Sequence, residues 1–203
     1  MITIVITGPS GSGKTYLSNK LSKVFDNSIV IKTDSYYRDN ILIRFLSIFL
    51  NDIYDRPISI MKNEIKNTLR SINKKDRFIP IYKYDFKRKY SSQSKTRIKY
   101  KSDNQLLILE GIFAHRLELN YKKTTNIICQ EQKNICFTRR LKRDLSERNR
   151  DDREVYKKFN KSWNLYYKNV KHYLKTNNVL SINSQDEISI NKLVLHLKTL
   201  EKK

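Results

Sequence analysis

The sequence predicts an α/β fold, a mostly parallel sheet flanked by helices. Three observations carry that prediction. Short β-branched runs alternate with amphipathic stretches along the 203 residues. The most apolar of these runs are hydrophobic almost throughout, as in parallel strands buried on both faces. A Gly-rich turn, Gly8 to Gly13, joins the first run to the first helical stretch.

The elements follow in order. Ile2 to Thr7 is an apolar strand, and Tyr16 to Phe25 a helix with Leu17, Leu21 and Val24 on one stripe. Ile29 to Thr33 is a second strand, ending at Asp34. Ile41 to Ile53 and Ser59 to Ile72 have helical spacing. Phe78 to Asp85 and Thr96 to Lys101 alternate like strands and, joined by the polar Lys87 to Lys95, suggest a hairpin excursion over about 78–101. Gln105 to Leu109 and Asn126 to Cys129 are further strands. Lys133 to Glu147 and Arg153 to Leu174 are helical, Val179 to Ile182 is a last strand and Glu187 to Leu200 a last helix. With no internal repeat, residues 1–203 are expected to form a single domain.

Composition narrows the class. Two cysteines, Cys129 and Cys136, exclude a disulfide framework and a four-cysteine zinc site. Both have apolar neighbours and are expected to be reduced core residues. His115, His172 and His196 lack metal-ligand spacing. Met1 to Gly8 has neither the basic start nor the long apolar run of a signal peptide. The longest apolar stretch, Ile41 to Leu50, contains Arg44 and is too short to span a bilayer. A cytoplasmic protein with no membrane partner is expected.

The net charge is +22, from 42 Lys and Arg against 20 Asp and Glu. That favours polyanionic partners, whether phosphorylated small molecules or nucleic acid. The 28 Lys accompany 24 Ile, 19 Asn and a single Ala. These are the residues of AT-rich codons, so much of the Lys excess is read as a solvated surface. Arg is distributed differently: six of the 14 fall between Arg139 and Arg153, a candidate lid. Nucleic acid is expected to bind only non-specifically, and the sequence admits a homo-oligomer.

Gly8-Pro9-Ser10-Gly11-Ser12-Gly13-Lys14-Thr15 fits G-x-x-x-x-G-K-[ST] completely and lies between a strand and a helix. This is the phosphate loop of a P-loop NTPase fold. Its backbone N–H groups and the helix N-terminus bind phosphate. Lys14 can reach the β- and γ-phosphates of ATP, and the Thr15 hydroxyl can ligate Mg²⁺. Leu106 to Glu110 is an apolar strand ending in an acid, which places Glu110 at the ligand edge as a second candidate for Mg²⁺. Asp34 ends another strand at the same edge and could accept a proton from an attacking hydroxyl.

Together these segments resemble the uridine kinase family, within the group that includes phosphoribulokinase. The resemblance runs from about Ile4 to Phe159. It rests on the phosphate loop, Asp34-Ser35-Tyr36-Tyr37-Arg38, Pro80 to Phe86, Leu109-Glu110-Gly111-Ile112, and the long segment Arg139 to Asp151. It implies an ATP- and Mg²⁺-dependent kinase phosphorylating the 5′-hydroxyl of uridine or cytidine. By the same resemblance, Asp34 is the base, Tyr37, Tyr84 and Phe86 line the nucleoside pocket, and Asp55 aligns with the family's ribose-binding Asp. Arg140 and Arg150 face the substrate, while Arg143 and Arg148 clamp the ATP phosphates. The departures cluster at base recognition: Lys89 stands where the family has His, and Lys158 where it has Gln. A related kinase for another small alcohol or sugar phosphate is the alternative. A nucleic-acid-binding P-loop protein is the more distant one, suggested by the eight basic residues and four aromatics from Lys83 to Lys101.

Overall fold

A computed structural model describes all residues except 27, 50–52, 54, 55, 89, 101–105, 118, 120–123, 149, 150, 177, 202 and 203; the side chains at 41, 44, 47, 48, 148, 176 and 201 are also outside the description. Five strands form one parallel sheet: β1 (Ile2–Thr7), β2 (Ser28–Lys32), β5 (Leu106–Glu110), β6 (Thr124–Cys129) and β7 (Val179–Ile182), in the order β2-β5-β1-β6-β7. Val5 pairs with Leu109 on one side and Asn126 on the other. The strand order reverses on either side of β1, and in such sheets ligands bind at the carboxyl ends of the strands beside that reversal. The phosphate loop follows β1 there.

The alternation of side chains along the strands builds two apolar layers. Ile2, Ile4 and Ile6 of β1 and Leu106 and Ile108 of β5 pack with Leu17 and Leu21 of α1 (Lys14–Val24) and with Ile190, Leu193 and Leu197 of α6 (Glu187–Glu201). Val5, Leu107 and Leu109 face the other way, onto Ile65, Leu69 and Ile72 of α3 (Lys62–Asn73). All of these are 4% exposed or less. Two long helices, α4 (Lys133–Arg148) and α5 (Asp152–Thr176), meet along a ladder of rings. Phe137 lies 5.3 Å from Phe159, which lies 5.5 Å from Trp163.

The mostly parallel sheet flanked by helices is present as expected, with local differences. Strand β2 ends at Lys32, and Thr33–Ser35 closes into a single 3₁₀ turn, so Asp34 sits in a turn just beyond the strand. Helix α2 covers Ile41–Phe49. Pro57–Ser59 is a separate 3₁₀ turn, and α3 begins at Lys62 rather than Ser59. The hairpin is tighter than expected. β3 (Phe78–Asp85) pairs antiparallel with β4 (Tyr90–Arg97), from Phe78↔Arg97 to Asp85↔Tyr90. Most of the stretch expected to be a linker is therefore strand, and β4 ends where the second strand was expected to begin. Almost all of β4 is exposed, so it has no buried face to impose an apolar alternation.

Cys129 and Cys136 are free and buried, and burial pushes their thiols up to about 12 and about 11. Among the described residues, no cluster of three or more His, Cys, Asp or Glu could hold a metal ion. No described helix is long and apolar enough to cross a membrane.

Candidate active site

The site starts at the end of β1. Gly11 and Gly13 have φ of 87° and 88°, a region that L side chains rarely adopt, and α1 begins directly behind Gly13. The outer carbonyls of the loop are anchored. Arg139 Nη1 donates to the Gly11 carbonyl at 3.1 Å, and Ser184 Oγ donates to the Ser12 carbonyl at 3.2 Å. The Ser12–Gly13 peptide, its carbonyl fastened by Ser184, presents the Gly13 N–H on the opposite side, the side that phosphate oxygens need, whereas the Ser12 N–H is taken up by the Pro9 carbonyl at 3.2 Å. Lys14 is 7% exposed, with Nζ donating to the Pro9 carbonyl at 3.0 Å.

Two acids from neighbouring strands meet this loop. Glu110, the last residue of β5, is 5% exposed and accepts from the Thr15 hydroxyl at 3.1 and 3.2 Å. Burial raises its pKa; the nearby Asp34 adds to the rise, and Lys14 and the Thr15 hydrogen bond oppose it. A hydroxyl and a carboxylate in contact are hard oxygen donors of the kind that suit Mg²⁺.

The carboxylate of Asp34 accepts from the backbone N–H of Ile112, at 2.9 Å for Oδ1 and 3.2 Å for Oδ2. Thr33 Oγ1 donates to the Glu110 carbonyl at 3.1 Å, joining the two strand ends. Gly111 makes this approach possible. A Cβ there would lie 2.0 Å from Thr33 Oγ1 and 2.7 Å from Asp34 Oδ1. Gly111→Ala is therefore expected to displace Asp34 and lower kcat about tenfold or more, with ATP affinity retained. Steady-state kinetics together with a nucleotide-binding titration check this.

Beyond Asp34, three rings gather. Tyr37 lies 5.3 Å from Tyr84 and 5.7 Å from Phe86, and Tyr84 lies 5.0 Å from Phe86, all edge to face. The hairpin thus brings its aromatics to the turn that follows Asp34. An isolated bridge between Tyr37 and Ile60 and a hydrogen bond from Ser91 N to Asp39 Oδ2 fasten this region together.

The Arg-rich helix α4 divides its cations. Arg143 Nη2 donates to Ser10 Oγ of the phosphate loop at 3.2 Å and to Asp144 Oδ1 at 2.9 Å. Arg140 departs from its expected substrate-facing role. It is 3% exposed, and its guanidinium lies in the α4–α5 seam, 3.5 Å from Asp144 Oδ2 and 2.6 Å from Ser162 Oγ. The physical reason is Asp144, fully buried at 0%, which needs cationic partners inside the fold. Lys158 pairs with Glu154 one turn away on α5. Asp55, Lys89 and Arg150 and the side chain of Arg148 lie outside the described residues.

Three contributors escape a reading by motif: Arg139, Ser184 and the Ile112 amide. Arg139 also pairs with Glu131, whose side chain is 2% exposed, at 3.3 Å. Its signal was present in the Arg cluster but shared with five neighbours. Ser184 and the Ile112 amide carry no distinguishing residue type.

Known kinases resemble the chain in sequence and in fold. Residues 3–186 match the model of the phosphoribulokinase / uridine kinase family. A uridine kinase of Ureaplasma parvum is 31% identical over 159 residues, 76% of this chain and 74% of that one. A uridine kinase of Haemophilus ducreyi is 29% identical over 156 residues, 73% of this chain and 70% of that one. Among solved structures, the deoxyadenosine kinase of M. mycoides with bound dATP superposes with a TM-score of 0.53 at 15% identity, covering 97% of this chain and 100% of that one.

Proposed function

Since the chain belongs to the phosphoribulokinase/uridine kinase family and is an ATP-dependent kinase, we propose that it transfers the γ-phosphoryl group of Mg-ATP to the 5′-hydroxyl of uridine or cytidine. The observation that carries this reading is the Asp34 carboxylate, fixed by the Ile112 amide between the phosphate-loop edge and the ring cluster of Tyr37, Tyr84 and Phe86. A hydroxyl presented there has a proton acceptor beside it and apolar rings for the attached base. The names of the bacterial relatives support the same acceptor.

Each residue then has a task. The backbone of Gly8 to Thr15 cradles the phosphates, Lys14 neutralises charge on the β- and γ-phosphates, and Arg143 reaches the same loop from α4. Arg148 is assigned to that clamp and Arg150 to the acceptor side. Thr15 and Glu110 would hold Mg²⁺, which when bound offsets charge on the transferring group. Asp34 takes the hydroxyl proton as the oxygen attacks. Asp55 is assigned to the ribose and Lys89 to the base. Arg140 acts from behind, holding Asp144 and through it Arg143.

A sugar phosphate is the second reading. It is favoured by Lys158 and Lys89 standing where the family has Gln and His, since both add positive charge. A panel of nucleosides and sugar phosphates with Mg-ATP, read by ADP release, separates the two. Turnover with uridine or cytidine is expected. Turnover only with a phosphorylated sugar overturns the nucleoside assignment.

A further inference from the structure

We propose that Thr7 and His115 are positioning residues that hold the Asp34 carboxylate in its working place, acting through the backbone of Ile112. The catalytic meaning of this rests on the kinase reading above; the tether itself does not.

Thr7 is the last residue of β1 and is wholly buried. Its Oγ1 donates to the Ile112 carbonyl at 2.9 Å and lies 3.0 Å from His115 Nδ1. The Ile112 N–H is the group that binds Asp34. One residue is thus fastened at both ends, its carbonyl to β1 and its amide to the acid. The preceding Gly111 donates its own N–H to the Ile6 carbonyl at 3.1 Å. Two successive residues after β5 are therefore tied to two successive residues of β1. The second tie matters because Gly111 is conformationally the freest residue type. Without it, the Ile112 amide could turn away from Asp34.

His115 explains why a hydroxyl is tolerated in this core. It is 4% exposed, in the 3₁₀ turn Ala114–Leu117, with the rings of Tyr173 at 5.1 Å and of Phe113 and Tyr166 at 6.4 Å. Burial first, then Arg116 and Lys62, pushes its pKa down to about 4, so the ring is neutral near pH 7. A neutral imidazole offers one donor and one acceptor to its surroundings. It shares Thr7 Oγ1 with the Ile112 carbonyl and fixes the threonine rotamer. Packing alone would be served as well by an apolar ring.

The test is Thr7→Val, which keeps the shape and removes only the hydroxyl, beside Thr7→Ser, which keeps the hydroxyl. Misplacement of a reacting group costs up to about a hundredfold in rate. The expected result is a kcat about ten- to a hundredfold lower in Thr7→Val, an unchanged KM for ATP, and recovery in Thr7→Ser. His115→Phe, which retains a ring of similar size, is expected to fall in the same direction. A second readout needs no turnover: the Ile112 amide, followed by hydrogen exchange in the nucleotide-free protein, is expected to exchange about tenfold faster in Thr7→Val. Wild-type kcat and wild-type Ile112 protection in Thr7→Val would overturn the proposal. So would a rise in KM for ATP matching the fall in kcat, or no recovery in Thr7→Ser, because either marks a general structural defect. If the wild type phosphorylates no acceptor while Thr7→Val still speeds Ile112 exchange, the kinase reading fails and the tether stands.

Discussion

Asp34→Asn is expected to lower kcat by about 10²–10⁴, the usual worth of a positioned general base, with a much smaller change in the KM of the acceptor. The asparagine oxygen can still accept from the Ile112 N–H, so the side chain stays where the aspartate was. What disappears is the ability to take a proton as the acceptor oxygen attacks. The interaction lost belongs to the transition state, so the effect falls on kcat rather than on binding. Steady-state kinetics with the preferred acceptor, alongside an ATP-binding titration, separate the two quantities. A kcat within a few-fold of wild type would remove Asp34 from the base role.

Lys14→Ala is expected to abolish measurable phosphoryl transfer and to weaken ATP binding while the fold persists. Lys14 is the first residue of α1, where alanine is an equally good helix former, and its ammonium donates to the Pro9 carbonyl within the loop. Truncation leaves Leu17 and Leu21, which pack α1 on the sheet, in place. It does remove the cation aimed at the β- and γ-phosphates, and a second consequence follows at Glu110. Lys14 is the main influence lowering the pKa of that buried acid. Without it, burial and Asp34 raise the pKa of Glu110 with less opposition, which weakens the acid as a ligand for Mg²⁺. ATP titration with and without Mg²⁺ checks this, with circular dichroism confirming the fold.

Much of this was legible in the sequence because the relevant physics is local. A parallel strand buried on both faces must be apolar, so Ile2–Thr7 and Leu106–Glu110 announce themselves. A loop that turns its amides on phosphate needs glycine at set positions, so Gly8 to Thr15 does too. The hairpin was legible only in part. β3 carries apolar residues that pack on α3, whereas β4, with the sequence YSSQSKTR, buries none and reads as a linker. Helix α4 was legible from its spacing and its arginines, but not how they divide. Arg140 and Arg143 both reach Asp144, and burial alone decides that one braces the seam while the other reaches Ser10. The hardest features to read were those made by backbone. The grip of Ile112 on Asp34 has no side-chain signature, and even Gly111, which permits it, could have served any tight turn.

The anchoring of the phosphate loop by Ser184 has a bearing on how the molecule matures. The loop is synthesised well before its anchor, since the Ser12 carbonyl is secured by a residue 172 positions later. Ser184 also fills the space beside Gly13, where an added Cβ would come within 1.9 Å of its hydroxyl. While β7 and α6 are still inside the ribosome, the nascent loop lacks this wall and this donor. Helix α6, which contributes Ile190, Leu193 and Leu197 to the layer beneath α1, is missing at the same time. The phosphate loop thus reaches its full packing only once β7 and α6 have settled against β6 and α1.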